Sequence, residues 1–126
     1  MREILFRGKE VESSDWYYGD IFHSSMNVDT TRIHDYINRA NVEIIPDTLG
    51  QYTGLTDKNG VKIFEGDIVE YEGKRYSINY LPHYARFSAV KPNTVFCVFA
   101  YQRGEVIGNI YDNPELIGED GDNSEN

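Results

Sequence analysis

Two glycine-containing turns near the middle of the chain restrict that part of the sequence to antiparallel β-structure. Asn59-Gly60 separates two apolar runs, and both residue types tolerate the positive φ that tight hairpins need. Glu72-Gly73 separates residues 68–71 from residues 75–80, in which apolar and polar side chains alternate. The sequence therefore predicts two consecutive hairpins.

Aromatic content extends this prediction to the whole chain. Aromatic residues make up 13% of the 126 residues and are interrupted by 11 glycines; this balance favours short strands joined by turns. Residues 95–101 are continuously apolar, which predicts a strand buried on both faces at the centre of a sheet. Trp16 and Val98 are the predicted core anchors. The expected class is mainly β, with helix below about a fifth, against the roughly one-third typical of globular domains.

Charge and cysteine content exclude several classes of protein. Twelve basic and 21 acidic residues give a net charge of −9, which disfavours a clamp that neutralises a phosphate backbone. A single cysteine, Cys97, excludes an internal disulfide and a cysteine-based zinc site. The sequence has no signal peptide pattern and no apolar run near the roughly 18 residues of a membrane span. We therefore expect a soluble, cytoplasmic protein.

Two segments differ in composition from the rest. Residues 23–41 are polar and lack a clear period, so they are predicted to be a loop with at most one helical turn. Residues 119–126 contain four acidic residues and no apolar residue. Such a tail cannot offset its ordering entropy by burial and is predicted to be disordered.

Five motifs carry a more specific signal. In order along the chain they are Phe6-Arg7-Gly8-Lys9, Trp16-Tyr17-Tyr18-Gly19-Asp20, Gly50-Gln51-Tyr52-Thr53-Gly54-Leu55 with Asp57-Lys58-Asn59-Gly60, Ile63-Phe64-Glu65-Gly66-Asp67-Ile68-Val69, and Val106-Ile107-Gly108-Asn109-Ile110-Tyr111-Asp112-Asn113-Pro114-Glu115-Leu116. Together they resemble the YopX protein family of bacteriophages and prophages. The resemblance covers nearly the whole chain apart from the acidic tail.

The resemblance implies a small phage-encoded β-rich protein with an SH3-like barrel component, a tendency to self-associate and no established activity. We accordingly predict an N-terminal β extension over residues 1–49, an SH3-like barrel over residues 50–118 and a disordered acidic tail over residues 119–126. Gly66 and Asp67 are predicted as turn residues, because glycine permits the reversal and aspartate accepts hydrogen bonds from turn amides.

No catalytic constellation emerges from the sequence. His23 and His34 lie near carboxylates and His83 lies between Pro82 and Tyr84, but a metal site needs three converging ligands. Solvated or locally hydrogen-bonded histidines are the simpler interpretation, and a metal-dependent enzyme using His23, His34 or His83 is the alternative. Cys97 has no neighbouring cation to lower its pKa and is predicted to be an inert thiol. The protein is expected to be no enzyme and to need no cofactor.

A binding protein is the remaining class of function. Basic residues interleaved with aromatic ones form a candidate face for single-stranded nucleic acid: Arg75, Arg86, Lys91 and Arg103. The net negative charge opposes that alternative. The number of aromatic residues exceeds what a small core holds, which predicts a homo-oligomer with its interface drawn from Tyr17, Tyr80, Tyr84 and Phe87. The expected function is a non-enzymatic interaction or assembly module in the bacterial host cytoplasm, with a host or phage protein as a further class of partner.

Overall fold

The computed structural model describes residues 3–24, 27–91, 94–96 and 102–117. Within these ranges the regular structure is β-strand and short 3-10 turns. Three of these turns open on a proline, at Pro46–Thr48, Pro82–Tyr84 and Pro114–Leu116. Proline suits this first position because its φ is fixed and its missing N–H is not needed there. The predicted mainly β class is confirmed. No helix in these ranges is long and apolar enough to cross a membrane.

The chain divides into two compact units, Met1–Tyr52 and Thr53–Asn126. The strands of the first unit are antiparallel and have the spatial order β4-β3-β2-β1-β5. Their bounds are β1 (Phe6–Lys9), β2 (Trp16–Ser24), β3 (Asn27–Asp35), β4 (Ala40–Glu43) and the beginning of β5 (Gly50–Thr56).

The first sheet curls so that β4 returns to β1. Glu10, just after β1, forms a β-bridge with Ile44, just after β4. The amide of Val11 donates to the carbonyl of Glu43 at 3.0 Å at the same place. Ile33 and Ile44 are fully buried on the inner side of this curl. They form the centre of the unit's apolar interior.

The curl brings the backbones of β2 and β3 very close together at Gly19. A Cβ atom built on Gly19 would overlap the carbonyl of His34 and would lie 3.1 Å from the Cα atom of Asp35. Only glycine, which has no side chain, fits this approach without moving a strand. The glycine of the Trp16-Tyr17-Tyr18-Gly19-Asp20 motif is therefore a packing residue.

The prediction of a loop over residues 23–41 is wrong for most of that segment. Asn27–Asp35 forms strand β3, which pairs with both β2 and β4. The inward-facing positions of this strand include the buried carboxylate of Asp35, which accepts hydrogen bonds from the amides of Ile37 and Asn38, both at 3.0 Å. A polar residue at an inward position hides the alternation by which a strand is normally identified.

The second unit contains the remainder of β5 and six further strands. Five of them form an antiparallel sheet with the order β10-β9-β8-β7-β11. The bounds are β6 (Lys62–Phe64), β7 (Asp67–Tyr71), β8 (Lys74–Leu81), β9 (Arg86–Lys91), β10 (Thr94–Phe96) and β11 (Glu105–Asn109).

Both predicted hairpins are confirmed. β5 and β6 are joined by a turn in which Gly60 has φ of 85° and the amide of Asp57 donates to the carbonyl of Val61 at 2.8 Å. β7 and β8 are joined by Glu72 and Gly73, with φ of 52° and 78°. Positive φ at both central residues matches the two-residue turn whose twist follows that of the strands.

Buried carboxylates hold the turns of this unit. Asp57 is 5% exposed, and its carboxylate accepts hydrogen bonds from the amides of Asn59, Val61 and Val106 at 2.8 to 2.9 Å. The carboxylate of Asp67 accepts a hydrogen bond from the amide of Phe64 at 2.7 Å. The predicted turn role of Asp67 is thereby confirmed.

The core of the second unit lies on one side of its sheet and is formed by Ile63, Val69, Tyr76, Ile78 and Ala89. The strand pairings do not close this sheet into a barrel within the described residues, so the predicted SH3-like barrel is not confirmed. Thr94–Phe96 lies at one end of the strand order, whereas the apolar run predicted a central position. A continuously apolar sequence reports burial but not strand order. Cys97, Val98 and residues 119–126 lie outside the described residues.

Candidate functional site

The side of the first sheet opposite Ile33 and Ile44 collects aromatic and charged side chains, all of which except the buried Arg7 are at least partly exposed to solvent. The strand register places its members on one side, because side chains alternate along each strand. We call this side the outer face; its members are Arg7, Lys9, Trp16, Tyr18, Asp20, Phe22, Arg32, His34, Asn41 and Glu43.

Trp16 forms the packed part of the outer face. The guanidinium carbon of Arg7 lies 4.6 Å from the centre of the indole ring, and the Nζ atom of Lys9 lies 5.8 Å from it. Both distances are in the range of cation–π attraction. Trp16 is half-buried, so its predicted role as a core anchor is wrong. It packs under two cations on the outer side of the sheet instead of filling the apolar interior.

Beyond Trp16, the aromatic residues of β2 are open to solvent. Tyr18 and Phe22 are each 41% exposed and occupy the first and third outward positions after Trp16. Large aromatic side chains with this exposure are the type of residue that forms the buried centre of protein–protein interfaces. The alternation of side chains along β2 would identify Tyr18 and Phe22 as exposed from the sequence alone, but only if it were known which side of β2 faces the interior.

The β3–β4 turn presents a second exposed apolar group. Tyr36 is 68% exposed and Ile37 is 91% exposed, and the Tyr36 ring meets the ring of His34 edge to face at 4.4 Å. Asp35 fixes the turn through its bonds to the amides of Ile37 and Asn38. Burial alone would raise the pKa of Asp35, but these donors favour the ionised form and hold the pKa below its ordinary value.

A groove of about 250 Å³ lies beside the outer face, lined by Glu10, Val11, Glu12, Arg32, Asn41, Val42 and Glu43. Arg32 is held along its wall by Asn41, to whose side-chain oxygen it donates at 3.2 Å and to whose carbonyl it donates at 3.3 Å. The hydroxyl of Ser13 donates to a carboxylate oxygen of Glu10 at 2.6 Å. The groove thus combines two valines with three carboxylates.

The four basic residues of the predicted nucleic-acid face are not brought together. Arg75 and Arg86 lie on one side of the β8–β9 pair, while Lys91 lies on the other, with Phe87. Arg75 and Arg86 are at opposite ends of that pair, about 20 Å apart at about 3.3 Å per residue. Arg103 is exposed in the turn before β11.

Two of the four predicted interface residues meet, and a third lies in the turn between the same two strands. Tyr80 lies opposite Phe87, with their rings edge to face at 5.3 Å, and Tyr80 is 44% exposed. Tyr84 is 63% exposed in the turn between the same strands and lies 5.2 Å under the guanidinium of Arg86. Tyr17 belongs to the first unit, where it is half-buried on the inner side of β2.

The histidines do not form a shared site in what the structure describes. His34 is half-buried on β3, and His83 is exposed in the turn after β8; the side chain of His23 lies outside the described part. No group of three or more histidine, cysteine, aspartate or glutamate side chains in the described ranges is placed to hold a metal ion.

Comparison with known proteins gives a family and a structural neighbour. The crystal structure of protein EF1440 from Enterococcus faecalis is similar with a TM-score of 0.58 and 26% identity, over 94% of this chain and 100% of that one. No curated protein matches the chain. The model of the family described as YopX protein matches residues 5–118. With nearly its whole length matched, the chain belongs to the YopX protein family.

Proposed function

We propose that this protein is a non-enzymatic interaction or assembly module and that the outer face of its first sheet is a contact surface. We further propose that it is of phage or prophage origin, as the sequence resemblance implies, and that it acts in the bacterial host cytoplasm. Its partners in this proposal are a host or phage protein and other copies of itself.

The observation that carries the proposal is the exposure of Tyr18 and Phe22 on a hydrogen-bonded strand. A strand in the middle of a sheet holds its side chains rigidly, so little conformational entropy is lost when they are covered. Arg7 and Lys9 are already engaged with the indole of Trp16. The face therefore offers ordered aromatic area with few uncommitted cations, which suits a protein surface better than a phosphate backbone.

The test is capture of host-lysate proteins on immobilised protein, with Tyr18→Ser/Phe22→Ser as the variant. Serine at both positions removes the aromatic area from outward positions, so the fold should be kept. The matched control is Val61→Ser, since Val61 is 48% exposed in the second unit. We expect the captured proteins to be lost with the double variant and kept with the control. Equal capture by all three proteins would refute the outer face as the contact surface.

A second candidate function is single-strand recognition at the turn between β8 and β9. It is favoured by the stack of Arg86 on Tyr84, whose ring is 63% exposed. Stacking of bases on such rings tolerates any sequence and weakens with salt. Salt-dependent binding of oligonucleotides that is lost in Tyr84→Ala would support this candidate. Absence of binding at about 0.05 M salt, where such contacts are strongest, would eliminate it.

A further inference from the structure

We propose that Asn59 is a site of spontaneous deamidation, which the closed β5–β6 turn suppresses and which opening of the turn permits. Asn59 and Gly60 lie between β5 and β6, and both are exposed. The reaction converts a neutral side-chain amide into a carboxylate, and its co-reactant is water. It belongs to the second unit and does not depend on the contact surface proposed on the first.

The nucleophile in this reaction is the backbone nitrogen of the following residue. The nitrogen of Gly60 gives up its proton and bonds to the side-chain carbonyl carbon of Asn59. The bond from that carbon to the side-chain nitrogen breaks, and ammonia leaves with the proton. Water then opens the cyclic imide at either carbonyl, which yields aspartate or isoaspartate. Glycine suits this attack because it has no Cβ atom beside the nitrogen. A Cβ atom built on Gly60 would meet nothing within 4 Å, so the surroundings leave room for the ring.

The closed turn holds the nucleophile in a hydrogen bond. The amide of Gly60 donates to the carbonyl of Asp57 at 3.0 Å, and this bond must break before the nitrogen can lose its proton. The amides on either side, of Asn59 and Val61, donate to one carboxylate oxygen of Asp57 at 2.8 and 2.9 Å. Because these two bonds anchor the chain on both sides of Gly60, its nitrogen cannot move toward the Asn59 side chain while the turn is closed.

Asp57 therefore controls how often the turn opens. Its carboxylate is 5% exposed and also accepts a hydrogen bond from the amide of Val106 in β11 at 2.8 Å, which ties the turn to the end strand of the five-stranded sheet. The Asn59 side chain is exposed, and the turn holds this residue by its backbone amide. The carbon that is attacked is thus always accessible, whereas the attacking nitrogen is released only in the locally opened state. The rate of deamidation measures the population of that state.

Isoaspartate in place of Asn59 should keep the turn from closing again. In isoaspartate the main chain passes through the side-chain methylene, so one carbon is added between the amides of Asn59 and Val61. Those two amides converge on a single oxygen of Asp57, and the longer chain between them no longer matches that spacing. The new carboxylate also lies close in sequence to the ionised Asp57, and like charges at short range repel. An opening that lasts long enough for reaction therefore becomes permanent.

The first test is incubation of the purified full chain in mildly alkaline buffer, with and without urea, followed by peptide mapping with mass spectrometry. We expect Asn59 to deamidate at least about tenfold faster in urea, because the opened turn is a minor population of the folded protein. Asn41 and Asn79 are internal controls, since each precedes a residue with a bulky side chain, Val42 and Tyr80. They should react more slowly than Asn59 in urea. Equal Asn59 rates with and without urea, or a rate in urea no higher than that of the controls, overturns the inference.

The second test weakens the turn in native buffer. Asp57→Asn leaves a buried amide without its acceptor, so it should raise the deamidation rate of Asn59 about tenfold. Asp15→Asn makes the same change at an exposed carboxylate and should leave the rate unchanged. Circular dichroism verifies that both variants are folded, and the wild-type comparison with urea decides if Asp57→Asn is not. A folded Asp57→Asn protein that deamidates at the wild-type rate refutes control by Asp57.

The third test examines the reacted protein itself. Anion exchange separates the isoaspartyl form from the starting protein by its added negative charge. We expect its Tm to be lower by at least about 4 °C, the shift that loss of one hydrogen bond produces in a small domain. Asn59→Asp is the matched control, because it adds the charge without lengthening the main chain, and its Tm should fall less. Equal Tm values for the isoaspartyl form and the unreacted protein would show that the turn closes again and would contradict a permanent opening.

Discussion

Gly19 is the residue at which the fold tolerates the least change. A methyl group at this position would overlap the backbone of His34, and a backbone cannot swing aside as a side-chain end can. We expect Gly19→Ala to lower the free energy of unfolding by about 1 to 3 kcal/mol, the usual cost of overpacking. Urea denaturation measures this loss. Asp20→Ala, an exposed neighbour on the same strand, is the control and should stay within about 0.5 kcal/mol of the wild type.

Asp57 gives a prediction about pH. Burial alone would raise its pKa, but the amides of Val106, Val61 and Asn59 donate to the ionised carboxylate and hold the pKa below the ordinary value of 3.8. Its ionisation therefore stabilises the folded state in full when the pH is above 3.8, the ordinary pKa of the carboxyl group. This stabilisation is lost as the pH falls through the lower pKa of the folded state.

Asp57→Asn tests this prediction by removing the charge at nearly constant shape. At pH 7 we expect a loss of about 1 to 3 kcal/mol, because one of the buried amides loses its acceptor. The difference in unfolding free energy between the wild type and the variant should become smaller in acid, where Asp57 is itself protonated. Asp15→Asn, at an exposed carboxylate, should show no such gap. A gap in unfolding free energy that stays constant with pH would contradict the assignment.

At the scale of elements, the turn between β7 and β8 carries a built-in cost. Glu72 has φ of 52° in a two-residue turn, a conformation that asparagine adopts more readily than glutamate. We expect Glu72→Asn to raise the unfolding free energy by about 0.5 to 1 kcal/mol, measured as a higher Tm. Glu12→Asn makes the same chemical change at a residue whose φ is not positive, so it should leave Tm unchanged. A lower Tm for Glu72→Asn would rule out backbone strain as the controlling effect.

The elements that could be predicted are those specified by neighbouring residues. Glu72-Gly73 and Asn59-Gly60 define hairpins locally, and the structure contains both. Strand β3 escaped prediction because its inward positions include Asp35, whose partners come from the following turn. The prediction of Trp16 as a core anchor is wrong because bulk and hydrophobicity do not reveal which side of a strand faces the interior. The outer face could not be predicted from the sequence, because its membership depends on the register of four strands and no local pattern gives that register.

At the scale of the molecule, stability depends on small cores. Ile78 is fully buried at the centre of the second unit, among Val69, Tyr76 and Ala89. Ile78→Ala should cost about 2 to 5 kcal/mol through lost burial and the remaining cavity, a large part of a total of about 5 to 15 kcal/mol. Chemical denaturation measures the loss, with Val61→Ala as the exposed control. A loss below about 1 kcal/mol would remove Ile78 from the core.

The bridge between Glu10 and Ile44 also bears on the order of events during folding. The antiparallel pairs β1–β2, β2–β3 and β3–β4 are consecutive hairpins whose contacts are local in sequence. The bridge, and the bond from the Lys9 amide to the Thr48 hydroxyl, instead join residues as many as 39 positions apart. Closing a long loop costs more chain entropy than forming a hairpin, and contacts distant in sequence slow folding. We therefore expect the hairpins, including the β1–β2 pair, to form first and residues 44–48 to be captured by the end of β1 last. On a ribosome, that capture must wait until residue 48 has emerged.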